Sequence, residues 1–138
     1  MLKPDKIFII LVSNPVKFSM KQNLNKAINA YLKLLKKHYG AKILKVILFG
    51  SVARGEFDKE SDADILIVIA DSNQKIKDEI SMSAYEIMLK NNIVLSPIVM
   101  DEGTFDWYRK NRDPFYNNIR RDGIDIWTKK QESLLKSA

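Results

Sequence analysis

Two short stretches decide the fold of this 138-residue chain: Leu48-Phe49-Gly50-Ser51-Val52-Ala53-Arg54-Gly55-Glu56 and, after a gap of four residues, Ser61-Asp62-Ala63-Asp64-Ile65-Leu66-Ile67-Val68. The first begins inside Ile43–Phe49, which is rich in β-branched and apolar residues and therefore predicts a buried strand. The same composition over Ala63–Ala70 predicts a second strand. Gly50-Ser51 follows the first strand directly, and we predict a short helical turn there.

Outward from this region, helical and strand patterns alternate along the chain. The further predicted elements are a helix over 21–39, a helix over 73–91, a strand over 93–100, a helix over 114–122 and a short strand over 124–127. Pro97 cannot donate a ladder hydrogen bond, so the strand over 93–100 is expected at a sheet edge. Asp113 and Pro114 are typical of a helix start. The predicted fold class is α/β (α+β), a small mixed sheet flanked by helices.

The length predicts a single domain, which we place at residues 21–128. Residues 1–20 are expected to be an N-terminal extension or an edge strand, and residues 129–138 a C-terminal tail. The apolar run over 7–12 has six residues, too few for a signal-peptide core or a membrane span. We therefore expect a cytoplasmic protein with no membrane association.

Composition excludes several classes of chemistry. The chain has no cysteine, which removes disulfides, thiolate zinc sites, iron–sulfur clusters and a cysteine nucleophile. His38 is the single histidine, so histidine-rich metal sites and serine–histidine hydrolysis are poor candidates.

Phosphate and metal chemistry fit the two quoted stretches. Glycine lets a phosphate approach the backbone closely, and successive N–H groups at a helix start bind anions, to which the Ser51 hydroxyl adds a donor. Asp62 and Asp64 are two residues apart, so in a strand both carboxylates point to the same face. Two hard oxygen ligands beside a triphosphate are how Mg²⁺ is usually held. Separately, a Gly-Ser turn or an Asp-x-Asp pair is more often structural, but an unpaired charged pair at the start of a buried strand is costly without a cation.

The pattern Gly-Ser-x-Ala-Arg-Gly followed by Ser-Asp-x-Asp and an apolar run resembles the polymerase-β-like nucleotidyltransferase superfamily, most closely its minimal single-domain type. The resemblance covers about residues 21–128 and implies that fold. It implies that Gly50 and Ser51 bind the phosphates of ATP or another nucleoside triphosphate, and that Asp62 and Asp64 bind Mg²⁺, in a centre with room for two metals. Arg54 and Ser61 match further nucleotide-binding positions of the motif, and for Arg54 a structural brace is the alternative.

One departure from the family pattern concerns a third carboxylate. Active members commonly carry an acid on a following strand, whereas here Ser96 occupies that place. Asp101 and Glu86 are the nearest alternatives, and we expect neither to substitute, because a compensating acid must be placed within a fraction of an ångström. Nucleotide and metal binding are therefore expected with more certainty than fast turnover.

The resemblance also implies a partner, because minimal members are often paired with a helical HEPN toxin and some transfer AMP to its tyrosine. We therefore expect an enzyme that acts as an antitoxin. Two alternatives stay open: a non-catalytic antitoxin with a vestigial nucleotide site, and, ranked last, a transferase that modifies an antibiotic or RNA. An oligomer is compatible with the sequence.

The net charge of +6 invites an anionic partner, and it is unevenly distributed. Residues 1–55 carry 11 Lys and Arg against one acid, and residues 56–138 carry 12 against 16 acids. A triphosphate and an acidic protein surface satisfy this pattern. The helix face that carries the lysines of residues 21–45 has no interleaved aromatic residues, so nucleic acid is not the favoured partner.

Overall fold

A computed structural model describes residues 15–56 and 62–127, and within them five helices and four strands alternate. The elements are α1 (Pro15–Tyr39), a 3₁₀ turn (Gly40–Lys42), β1 (Ile43–Phe49), α2 (Gly50–Ala53), β2 (Ala63–Ile69), α3 (Gln74–Asn91), β3 (Leu95–Asp101), α4 (Glu102–Lys110), α5 (Pro114–Asp122) and β4 (Ile124–Asp125). This is the mixed α/β class that the sequence predicts. No helix in this part of the chain is long and apolar enough to span a bilayer.

The four strands form one mixed sheet in the order β3-β2-β1-β4. β1 pairs antiparallel with both β2 and β4, and β2 pairs parallel with β3. The parallel connection runs through α3, as a crossover between parallel strands requires. Pro97 lies in β3, which is an edge strand of this sheet, and the prediction from its missing N–H is confirmed.

Side chains alternate between the two faces of the sheet and give two unequal cores. On the first face, Ile65 and Ile67 pack with α1 and α3 in the larger core, where the Tyr31 hydroxyl donates a hydrogen bond of 2.7 Å to the Ile80 carbonyl. On the second face, Leu66 and Val68 pack with α4 and α5 in a smaller core. Asp64 is two residues before Leu66 in β2, so its side chain lies on the second face, the one with the smaller core. The candidate site therefore lies on that face.

Several predicted boundaries are wrong in detail. α1 begins at Pro15 rather than at residue 21. The third strand spans Leu95–Asp101 rather than 93–100, and the last strand has two residues, Ile124–Asp125, rather than four. The register of the ladder sets both strands. β3 begins at Leu95, opposite Ala63, and Ile124 and Asp125 are the residues in register with β1, beyond which the Ile126 amide still donates to the Val46 carbonyl.

Helix α4 is absent from the sequence prediction. It follows β3 without a loop, because Asp101 ends the strand and its carboxylate accepts a hydrogen bond of 2.7 Å from the Thr104 amide as N-cap. Its buried residue Phe105 packs at a ring-centroid distance of 5.8 Å from Tyr116 of α5. The signal was an aspartate directly before Glu102, four residues ahead of Phe105, the first large apolar residue of the helix.

Candidate active site

The turn at Gly50 is built by the end of a buried strand. Phe49 ends β1 and is the N-cap of α2 with an extended backbone, and its side chain offers no acceptor to the helix amides. The first N–H groups of a helix have no acceptor within that helix, so these amides of α2 are open to an anion. Gly50 has φ +78°, a left-handed conformation that glycine adopts without cost.

Asp64 lies directly across the sheet from this turn. Its Cα pairs with Phe49 in the antiparallel register, so its carboxylate stands against Gly50. A Cβ at Gly50 would overlap the Asp64 Oδ2 and would lie 3.2 Å from its Cγ. The strand end, the open amides and one carboxylate therefore meet at a single point, and only a glycine leaves room for all three.

Asp62 and Asp64 are neighbouring carboxylates whose negative charge is poorly balanced. Asp62 is exposed just before β2, and Asp64 is half-buried at its second residue. Burial, and next the negative charge of Asp62, raises the pKa of the Asp64 carboxyl above its usual range. Within residues 15–56 and 62–127, neither carboxylate has a cationic or hydrogen-bonded partner. A cation is what this pair needs.

The position next to Asp64 on the neighbouring strand is held by Ser96. The two Cα atoms are partners in the parallel β2–β3 register, so the side chains share one face of the sheet. In the part of the chain that the structure describes, no three carboxylate or imidazole groups are arranged to hold a metal. The carboxylate pair therefore stands beside a hydroxyl rather than beside a third acid.

Neither alternative acid reaches the pair. Asp101 lies at the opposite end of β3, opposite Ile69, five residues or about 16 Å along the strand from Ser96. It caps α4 and pairs with Lys77 at 3.2 Å, and its pKa is lowered first by the hydrogen bond from the Thr104 backbone amide. Glu86 is exposed on α3 and pairs with Lys90 at 3.0 Å. Both acids are occupied by local structural roles.

Arg54 serves as a brace in this structure. Its Nη1 lies 2.8 Å from Asp122 Oδ2 at the end of α5, and its Nε lies 3.1 Å from Glu56 Oε2. The Asp122 side chain is only 6 % exposed and also pairs with Arg121, which contributes first to lowering the Asp122 pKa. The contact joins α2 to α5 and fixes the turn. Sequence reasoning missed Asp122, although an acid in the last turn of a helix is unfavourable and hints at a partner.

Ser61 lies outside the residues that the structure describes. Of the remaining candidates, the antiparallel pairing of β1 with β2 brings Asp64 against Gly50, and Asp62 lies close enough to Asp64 to affect its pKa. Ser51 follows Gly50 in the same turn. The donor set of carboxylate oxygens and open amides fits Mg²⁺ and a phosphate chain, since Mg²⁺ prefers one or two carboxylates plus phosphate oxygens and water.

A cavity of about 430 Å³ opens on the same face of the sheet, toward its far end. Its floor is formed by Ile47 and Val68, and α4 and α5 form its walls. Lys45 lies there with its Nζ 5.9 Å from the centre of the Phe105 ring. The cavity does not include any of the residues that the sequence singles out.

Comparison with known proteins points to one family. The family model described as "Nucleotidyltransferase domain" matches residues 28–135. A protein of Methanocaldococcus jannaschii named "Putative protein adenylyltransferase MJ0604" is 37 % identical over 101 residues, which cover 73 % of this chain and 95 % of that protein. A second protein of the same organism, "Putative protein adenylyltransferase MJ0141", is 36 % identical over 87 residues, 62 % of this chain and 80 % of its own length.

Solved structures share the fold. The crystal structure of a protein described as a putative nucleotidyltransferase from Sulfolobus solfataricus superposes with a TM-score of 0.57 at 20 % identity, covering 88 % of this chain and 95 % of that chain. A chain of a toxin–antitoxin crystallised with AMP-PNP superposes with a TM-score of 0.50 at 19 % identity, covering 78 % and 79 %. The match of sequence over most of the chain, around a glycine–serine turn facing a carboxylate, places this protein in the nucleotidyltransferase-domain family, and it is a nucleotidyltransferase.

Proposed function

We propose that this nucleotidyltransferase transfers AMP from ATP to a hydroxyl group, the acceptor being a tyrosine of a HEPN-type toxin partner, and that it thereby acts as an antitoxin. The contact between Gly50 and the Asp64 carboxylate carries the proposal, because it joins an anion-binding turn to a cation-binding carboxylate. The names of the two archaeal relatives support protein adenylylation. The toxin–antitoxin chain crystallised with AMP-PNP supports an adenine nucleotide and a toxin partner.

Each side chain has a defined part in the proposed reaction. The amides at Gly50 and Ser51, with the Ser51 hydroxyl, hold the β- and γ-phosphates and so orient the α-phosphate. Asp62 and Asp64 would hold Mg²⁺, which when bound supplies positive charge to the phosphate oxygens and the leaving group. The acceptor oxygen forms a bond to the α-phosphorus, and the bond to the bridging oxygen breaks. Pyrophosphate leaves with the electron pair, and the hydroxyl proton passes to solvent.

Labelling tests the reaction directly. The protein is incubated with α-labelled ATP, Mg²⁺ and a purified HEPN partner, and label is expected on the partner. The Asp62→Asn, Asp64→Asn double variant should abolish the label, because it removes the proposed metal ligands but keeps the side-chain volume. Glu102→Gln removes an exposed carboxylate beyond the other end of β3 and should leave labelling unchanged.

Ser96 favours a second candidate, a non-catalytic antitoxin with a vestigial nucleotide site. A hydroxyl is a poor base and a weak Mg²⁺ ligand, and Ser96 stands where it would neighbour Asp64. Neutralisation of the toxin that persists in the double variant, with no label in the unaltered protein, would establish this candidate in place of the first.

Ser96→Asp tests where the metal binds. A third carboxylate beside Asp64 should tighten binding of Mn²⁺, used as a probe for Mg²⁺, by at least about tenfold. Ser96→Ala is the matched control and should leave Mn²⁺ affinity unchanged within about twofold, since the hydroxyl contributes little. Equal Mn²⁺ binding by the unaltered protein and Ser96→Asp would contradict the placement of the metal at Asp64.

A further inference from the structure

The helical layer has an outer face that no element in the described part of the chain covers. α1 and α3 pack side by side on the first face of the sheet, joined by the Tyr31–Ile80 hydrogen bond. Their outward sides therefore form one continuous surface, with the two helix axes about 8–10 Å apart. Two rows of side chains run along this surface, one on each helix.

The row on α3 is apolar. Met82, Tyr85 and Leu89 are 65 %, 63 % and 87 % exposed. They are spaced by three and then four residues, which is the spacing of a seam that packs against another helix. Three large apolar side chains held in water along one line of a helix are a recognised mark of an interaction surface.

The row on α1 is basic. Lys26, Lys33 and Lys37 are exposed and spaced by seven and four residues, so they share one side of the helix. All 25 residues of α1 lack an acid. Within the described residues, none of these three lysines takes part in an ion pair. The row therefore presents uncompensated positive charge next to the apolar row.

We propose that this outer face of α1 and α3 binds an amphipathic helix of a second protein, with its apolar side on Met82, Tyr85 and Leu89 and acidic side chains on the lysine row. The charge of the lysine row selects an acidic flank, and the spacing of the apolar row selects a helix. This surface lies on the side of the sheet opposite to Asp64, so a partner bound there leaves the nucleotide site open. The proposal does not depend on catalysis.

Other occupants fit less well. In a second copy of this chain, the charges of α3 balance, with three lysines (Lys75, Lys77, Lys90) against three acids (Asp78, Glu79, Glu86). The lysine row of α1 would therefore stay uncompensated. A nucleic acid would neutralise the lysines but would leave Leu89 and its neighbours in water. An acidic helix satisfies both rows together.

The test uses two synthetic peptides of three heptads. Both have leucine at a and d; one has glutamate at e and g, and the other has lysine there. Fluorescence anisotropy with the full chain at low salt should show binding of the glutamate peptide at least about tenfold tighter than the lysine peptide. Equal binding of the two peptides, or no binding of either, would overturn the proposal.

Two variants assign the binding to the two rows. Met82→Ser, Leu89→Ser should weaken binding of the glutamate peptide at least about tenfold, whereas Trp107→Ser, at an exposed position of α4, should not. Lys33→Glu, Lys37→Glu should remove or reverse the preference between the peptides, whereas Lys110→Glu should not. Circular dichroism and binding of a non-hydrolysable ATP analogue should be unchanged in all four variants, which separates this surface from the nucleotide site.

Three outcomes would refute the proposal. One is unchanged peptide binding in the double serine variant. Another is a dimer, measured by light scattering, that the serine variant dissolves, because the occupant would then be a second copy. The last is RNA binding that depends on the lysines and not on the apolar row.

Discussion

Gly50→Ala is the substitution for which the structure specifies the cost most directly. Gly50 has φ +78°, where an L side chain costs about 1–2 kcal/mol. For a chain of this length, that loss corresponds to a fall in melting temperature of about 3–7 °C. The alanine Cβ would also overlap the Asp64 Oδ2 atom, so the carboxylate must move away from the turn. A displacement of about 1 Å in a reacting group costs on the order of 100-fold in rate.

Gly55→Ala is the matched control, because Gly55 has φ +79°, the same strained region, at the end of the same turn. Both variants should lose similar thermal stability, measured by differential scanning calorimetry. Only Gly50→Ala should lose Mn²⁺ binding in the presence of an ATP analogue and on the order of 100-fold in AMP transfer. If Gly50→Ala kept full transfer and metal binding, or if Gly55→Ala lost both equally, the contact with Asp64 would have no role in the site.

Three further predictions concern pH and stability. Tyr31→Phe should lower the free energy of unfolding by about 1 kcal/mol and the melting temperature by about 3 °C. It removes one of the two side-chain hydrogen bonds to the Ile80 carbonyl, while the one from Ser83 remains. A fall in melting temperature above about 10 °C would indicate lost packing instead. Asp64→Asn should raise the melting temperature at neutral pH in the absence of metal. The gain should fade as pH falls through the raised pKa of the folded state, because the carboxyl of the folded protein binds its proton before that of the unfolded protein does. A lower melting temperature would contradict the uncompensated carboxylate pair. Asp122→Asn should lower the melting temperature at pH values above the ordinary carboxyl pKa. The difference from the unaltered protein should shrink as pH falls through the lowered pKa of the folded state. A difference that does not depend on pH would argue against the ion pairs with Arg121 and Arg54.

The elements that the sequence predicts well are those in which local pattern and tertiary role coincide. Asp113 is the N-cap of α5 as predicted, and its carboxylate accepts from the Phe115 amide at 2.9 Å. The turn at Gly50 lies where a buried strand meets a glycine. Both signals are contained in a few neighbouring residues, so no distant contact was needed to find them.

The features that sequence analysis missed depend on distant partners. The ion pair of Arg54 with Asp122, 68 residues away, could not be predicted, because no residue close to Arg54 in the sequence indicates it. The packing of Phe115 against the smaller core and the 56 % exposure of Trp107 also depend on the fold and not on neighbouring residues. The exposure of the apolar row on α3 also depends on which side of that helix packs against α1 and the sheet. The periodicity of the sequence does not determine which side of the helix is buried.

The inequality of the two cores has a consequence for motion. The layer of α1 and α3 is anchored by the larger core, whereas α4 and α5 rest on the smaller one and on a two-residue strand. Amide hydrogen exchange should therefore occur through lower-energy openings in α4 and α5 than in α1 and α3. The layer of α4 and α5, on the Asp64 side of the sheet, is then the part that loosens first, while the layer of α1 and α3 keeps its shape. Under the two proposals above, one small domain combines a mobile catalytic face with a rigid partner-binding face.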